Sequence, residues 1–111
     1  MPEKGVSKPD YRVLHREALW LAEEASRFEG SPISAEAVRL AEQAFSLVPS
    51  YRRGARSFFG LDAVRIAQKT GNNSEVLRVG QSVLNVLGEQ GVPQIVRRIE
   101  EIMDSARVVS S

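Results

Sequence analysis

A helical phrase that nearly repeats constrains this chain more than any other feature. From Ala18 to Pro49 the sequence passes through one apolar helical stripe, a Gly30-Ser31-Pro32 break, and a second stripe built on an alanine ladder, Ala37, Ala41 and Ala44. A looser copy follows about 39 residues further on: Ala63–Ala67, Gly71-Asn72-Asn73-Ser74, then Val76, Gly80, Val83 and Gly88. Small residues three and four apart line one side of a helix. They let two helix axes approach to the short end of about 8–10 Å. The pattern predicts an all-α chain of paired helices that presents a surface rather than a catalytic pocket.

The same periodicity divides the chain into five helices. Asp10 is placed to cap the first, over about 11–28, with Tyr11, Leu14, Ala18, Leu21, Ala25 and Phe28 on one face and Trp20 and Ala22 widening it. The second begins after Ser34 as N-cap, with Glu36 in its first turn, and stops at Pro49-Ser50. The third starts between Tyr51 and Ser57, ends at Thr70 with Gly71 beyond it, and is apolar around more than half its circumference, which predicts a central position. The fourth follows Asn73 or Ser74 as cap and reaches Leu87; Gly80 inside it suits a close helix contact. Pro93 opens the fifth, whose stripe is Val92, Ile95, Ile99, Ile102 and Ala106. This stripe serves as a dimer contact if the core does not consume it. Connections of about three to eight residues imply antiparallel neighbours. The expected organisation is a flexible leader at 1–9, one helical domain at 10–107 and a tail at 108–111.

Composition bounds the function. The chain has 111 residues, a single-domain length, and a formal charge of +1, which argues against a protein built chiefly to grip a long polyanion. No cysteine is present, so disulfides, thiolate metal sites and cysteine nucleophiles are excluded. No apolar run approaches the roughly 20 residues that span a bilayer, and the first residues do not read as a signal peptide. The expectation is a soluble cytoplasmic protein without a membrane role.

The Ala18–Pro49 phrase resembles a tetratricopeptide repeat. Leu21 takes the early large position with Trp20 beside it, Ala25 the small one and Phe28 the later aromatic. Ala37, Ala41, Ala44 and Pro49 take the second-helix positions, Ala41 being smaller than the usual aromatic. In the second unit Val64 takes the small position, Ala67 the later aromatic one, Gly71 the turn and Gly88 the closing proline. The resemblance spans residues 18–90 and implies two stacked helical hairpins capped by the fifth helix. It implies protein binding along the first helix of each pair, through Arg16, Arg27, Arg56, Arg65 and Lys69.

Candidates for chemistry are few. His15 is the only histidine and reads as a surface or boundary residue. Glu23-Glu24 and Glu100-Glu101 are neighbours in sequence, so their side chains diverge on a helix. No Glu-x-x-His motif or phosphate loop is present, and no metal or cofactor is expected. Between residues 51 and 80, six basic residues (Arg52, Arg53, Arg56, Arg65, Lys69 and Arg78) stand against Asp62 and Glu75, a local excess of four. Phe58 and Phe59 adjoin them and cannot share a direction on a helix. The reading is a non-enzymatic helical interaction module, adaptor or small regulatory or chaperone-like subunit, which binds a protein partner or itself through Arg16, Arg27, Arg52, Arg53, Arg56, Phe58, Phe59, Arg65 and Lys69. The alternative is nucleic-acid binding through Arg52, Arg53, Arg56, Arg65, Lys69 and Arg78.

Overall fold

A computed structural model describes residues 10–25, 33–69 and 73–110. The fold is all-α: α1 (Tyr11–Ala25), α2 (Ile33–Leu47), α3 (Arg53–Lys69), α4 (Asn73–Leu87) and α5 (Pro93–Ser110), with a 3₁₀ turn at Gly88–Gln90 between the last two. Among the described residues, no helix is long and apolar enough to cross a membrane.

Local chemistry sets most of these boundaries. The Arg12 N–H donates to Asp10 Oδ1 at 2.9 Å, so Asp10 does cap α1. Pro49 follows the end of α2, and Gly88, whose φ is positive (51°), ends α4 where a side chain would be strained. Pro93 is the first residue of α5, where its missing N–H is no loss. Three boundaries differ from the sequence reading. α2 starts at Ile33, which puts Ser34 inside the helix rather than at its cap. Asn73 and Ser74 are likewise the first helical residues of α4. α5 continues to Ser110, through the expected tail, because no glycine or proline follows Arg107 to stop it. Phe28, Gly30-Ser31-Pro32 and Gly71, which carried expectations for helix ends and turns, lie outside the described residues, as do residues 1–9.

α3 touches every other helix, as its broad apolar surface requires. Its contacts with α1 rise in step: Tyr11 and His15 meet Phe59, His15 meets Asp62, and Glu23 meets Lys69. α1 and α3 therefore point the same way. α5 also packs on α3, while α2 contacts α1 and α3, and α4 contacts α3 and α5. The principal extents are 54 × 36 × 15 Å. The smallest matches two helix layers: axes about 8–10 Å apart, with Cα atoms about 2.3 Å beyond each axis, span about 13–15 Å.

The core runs through both layers. Ala18, Ala22, Ala37, Ala41 and Ala44 are fully buried between the first helices; Val64, Val76, Val79, Val83, Leu87 and Ile99 are buried further along. The α5 stripe is spent internally, since Ile99, Ile102, Met103 and Ala106 are all buried. Close approach explains two glycines. A Cβ on Gly60 would stand 2.6 Å from Val83 Cγ1 and 3.2 Å from the Phe45 ring, and one on Gly80 would stand 2.6 Å from Met103. Trp20 departs from its expected place on the core face of α1: it is 63% exposed. It lies two residues from both Ala18 and Ala22, about 200° around the helix, so once those alanines face the core Trp20 must face away.

Candidate functional site

Because α1 and α3 lie side by side, their neighbouring faces enclose a cleft of about 400 Å³. Leu19, Ala22 and Ile66 give it apolar walls, and Glu23, Asp62, Arg65 and Lys69 supply the polar ones. Lys69 is ion-paired with Glu23 across the cleft. Arg65 reaches to 4.0 Å from Asp62. Leu19 remains 42% exposed at the cleft, and Phe58, on the same helix as Arg65 and Lys69, is 49% exposed.

Toward the N-terminal end of α1 a polar and aromatic knot ties the two helices. His15 Nε2 lies 2.7 Å from Asp62 Oδ2, both side chains being largely buried. The His15 ring stacks on Phe59 with centroids 4.2 Å apart, and Tyr11 meets the same ring edge-on at 5.5 Å. The imidazole is thus held on one face by an aromatic ring and at Nε2 by a carboxylate. This arrangement fixes the register of α1 against α3. No group of three or more histidine, aspartate or glutamate side chains in metal-holding geometry occurs among the described residues.

The sequence-derived site residues separate into several places. Arg65 and Lys69 line the cleft, and Arg16 is exposed on α1. Phe58 and Phe59 diverge as a helix demands: Phe58 faces outward and Phe59 packs under α1. Arg52 and Arg53 lie at the entry to α3, where the Arg53 Nε–H donates to the Gln90 carbonyl at 3.0 Å. Arg56 turns toward α2, its guanidinium 6.0 Å from the centre of the Phe45 ring and its Nε shielded from solvent. Arg27 lies outside the described residues. Arg78 belongs to α4 and is bound at 2.9 Å to Glu42 and at 2.8 Å to Glu75. Hydrogen bonds from its guanidinium hold the Glu75 carboxyl below the usual range, and the two carboxylates stabilise the guanidinium charge in turn.

The six basic residues therefore do not converge on one patch. Lys69 and Arg78 are matched by acids 46 and 36 positions away, Glu23 and Glu42, which local counting could not see. Sequence reasoning also missed Leu19, Asp62 and Ile66 as parts of the cleft. Their only signal is the i, i+4 spacing of Asp62 and Ile66 on α3, shared by any helix face. Comparison with protein-family models, curated proteins and solved structures finds no match for this chain.

Proposed function

We propose that this chain is a non-enzymatic helical interaction module that receives a segment of a protein partner on its α1/α3 face. The observation that carries the reading is the cleft between two codirectional helices, with apolar walls, mixed charge and the exposed Leu19 in its wall, while Phe58 is exposed on the same helix as Arg65 and Lys69. Apolar anchors surrounded by polar groups are the usual composition of a protein-binding patch. The tetratricopeptide-like phrase supports the same reading, with α1–α2 and α3–α4 as two antiparallel hairpins and α5 as the cap. The lack of cysteine accords with a cytoplasmic setting.

The nucleic-acid alternative draws on Arg52, Arg53, Arg56, Arg65, Lys69 and Arg78. Its support is weaker, because Lys69 and Arg78 already face carboxylates and a polyanion would have to displace them. Salt-sensitive binding of DNA or RNA, lost on replacing Arg52 and Arg53 by glutamate, would favour it.

Site-specific photocrosslinking tests the leading reading. A crosslinker introduced at position 19 or 58 is expected to capture a discrete protein partner, and one at Gln81 on α4 is not. Capture of equal yield at position 81, or of nothing at positions 19 and 58, would remove the support for an α1/α3 interface.

A further inference from the structure

The outer side of α1 carries a short stripe that is complementary to itself. Successive helical residues turn by about 100°, so Val13, Arg16, Glu17 and Trp20 share the side opposite the buried Ala18 and Ala22. Val13 is 45% exposed, and Trp20, the only tryptophan in the chain, is the most exposed apolar residue of α1. A large apolar side chain left in water is the informative exception on a protein surface, and tryptophan is among the residues most enriched at interface hot spots. Arg16 and Glu17 are also exposed, and neither enters an ion pair among the described residues.

The order of the four residues selects an occupant. Along α1 they read apolar, positive, negative, apolar. A second α1 laid against the stripe in the opposite direction, about a twofold axis between positions 16 and 17, sets Val13 against the partner's Trp20 and Arg16 against the partner's Glu17. Each contact then occurs twice, as an isologous interface requires. In the same direction and register, Arg16 would face the partner's Arg16 and Glu17 the partner's Glu17, which is repulsive. The stripe has no net charge, so it offers an anionic lipid surface no electrostatic attraction.

We infer that this chain forms a twofold dimer through antiparallel contact of two α1 helices, the occupant of the stripe being a second copy of the chain. The contact is separate from the α1/α3 cleft, since Leu19 projects about 100° from Trp20, and either surface can fail without the other. A single pair of helices buries less than a standard interface of about 1,600 Å², which makes the dimer weak.

Sedimentation of the full chain from about 10 µM to about 1 mM, the span appropriate to so small a contact, tests the inference. The expected mass rises from one copy to two, and the Trp20 emission moves to shorter wavelength over the same range as its ring leaves water. W20A abolishes the rise while its helical circular dichroism is retained. R16E weakens association about tenfold by turning two attractive pairs into repulsive ones, and the double exchange R16E/E17R restores it. A chain that stays monomeric with constant emission would overturn the inference. So would a dimer indifferent to W20A, or one that R16E weakens and the double exchange does not restore.

Discussion

Every buried residue of α1 is an alanine (Ala18, Ala22 and Ala25), and α2 sets Ala37, Ala41 and Ala44 beside Val38, Leu40, Phe45 and Val48, whereas α3, α4 and α5 bury Leu61, Val64, Ile66, Val76, Val79, Val83, Leu87, Ile99, Ile102 and Met103 along with Ala63, Ala67 and Ala106. The two halves stabilise in different ways. Each alanine in place of leucine buries three fewer carbons, which at about 0.8 kcal/mol per CH₂ leaves roughly 2 kcal/mol less transfer energy per site. In return the two backbones can approach closely. The bulky half therefore carries most of the hydrophobic stabilisation. The alanine half holds α1 on a narrow stripe and leaves the rest of its circumference, with Val13, Arg16, Leu19 and Trp20, facing outward. In α1 a core contact made through alanines and a large exposed surface go together.

Substitutions break or sharpen this contrast in a definite order. Ile99→Ala, in the bulky half, is expected to lose about 2–5 kcal/mol, through lost transfer energy and the cavity left behind. The denaturant midpoint would show it, and a loss below about 1 kcal/mol would mean that this seam is loosely packed. Ala18→Leu, in the alanine half, should destabilise by about 1–3 kcal/mol, because close-packed helices have no room for three more carbons. An increase in stability there would deny the close approach on which the contrast rests.

Glycines sharpen it further. Gly60→Ala drives a methyl group toward Val83 and Phe45. The clash should exceed the gain in helix propensity of about 1 kcal/mol, for a net loss of about 1 kcal/mol. The three atoms nearest a Gly80→Ala methyl all belong to Met103, whose flexible side chain can move aside, so this change is expected to be near neutral. Equal effects of the two changes on the melting temperature would contradict this difference.

A small effect belongs to the exposed cluster joining α2 and α4. Arg78→Ala should lose about 0.5–1 kcal/mol, since solvent screens the pairs with Glu42 and Glu75. The sign with pH follows from Glu75. Its carboxyl is held below the usual range in the folded chain, so the contribution is complete at neutral pH and disappears as the pH falls through that depressed value. The gap between native and Arg78→Ala stabilities should therefore close on acidification; a gap that widens would refute the assignment.

Much of the fold was legible because its signals are local. Asp10, Pro49, Gly88 and Pro93 act on the residues beside them, and the alanine and valine stripes give the helix faces directly. What stayed hidden depends on partners far along the chain or on angle. Nothing near His15 points to Asp62, and nothing near Lys69 or Arg78 points to Glu23 or Glu42, so the basic cluster looked denser than it is. Trp20 was placed on the core face by its apolar character, although its offset from Ala18 and Ala22 already turned it outward. The cleft needed the pairing of α1 with α3, which no single helix encodes.

The central proposal is that α3–α5 hold the molecule together while α1 offers the surface for association. Site-resolved native-state hydrogen exchange, recorded at low and high protein concentration, addresses it most directly. The account predicts the slowest exchange in α3, α4 and α5 at both concentrations, with faster exchange in α1 that slows as the protein is concentrated. Protection in α1 equal to that of α3 and unchanged by concentration would contradict it.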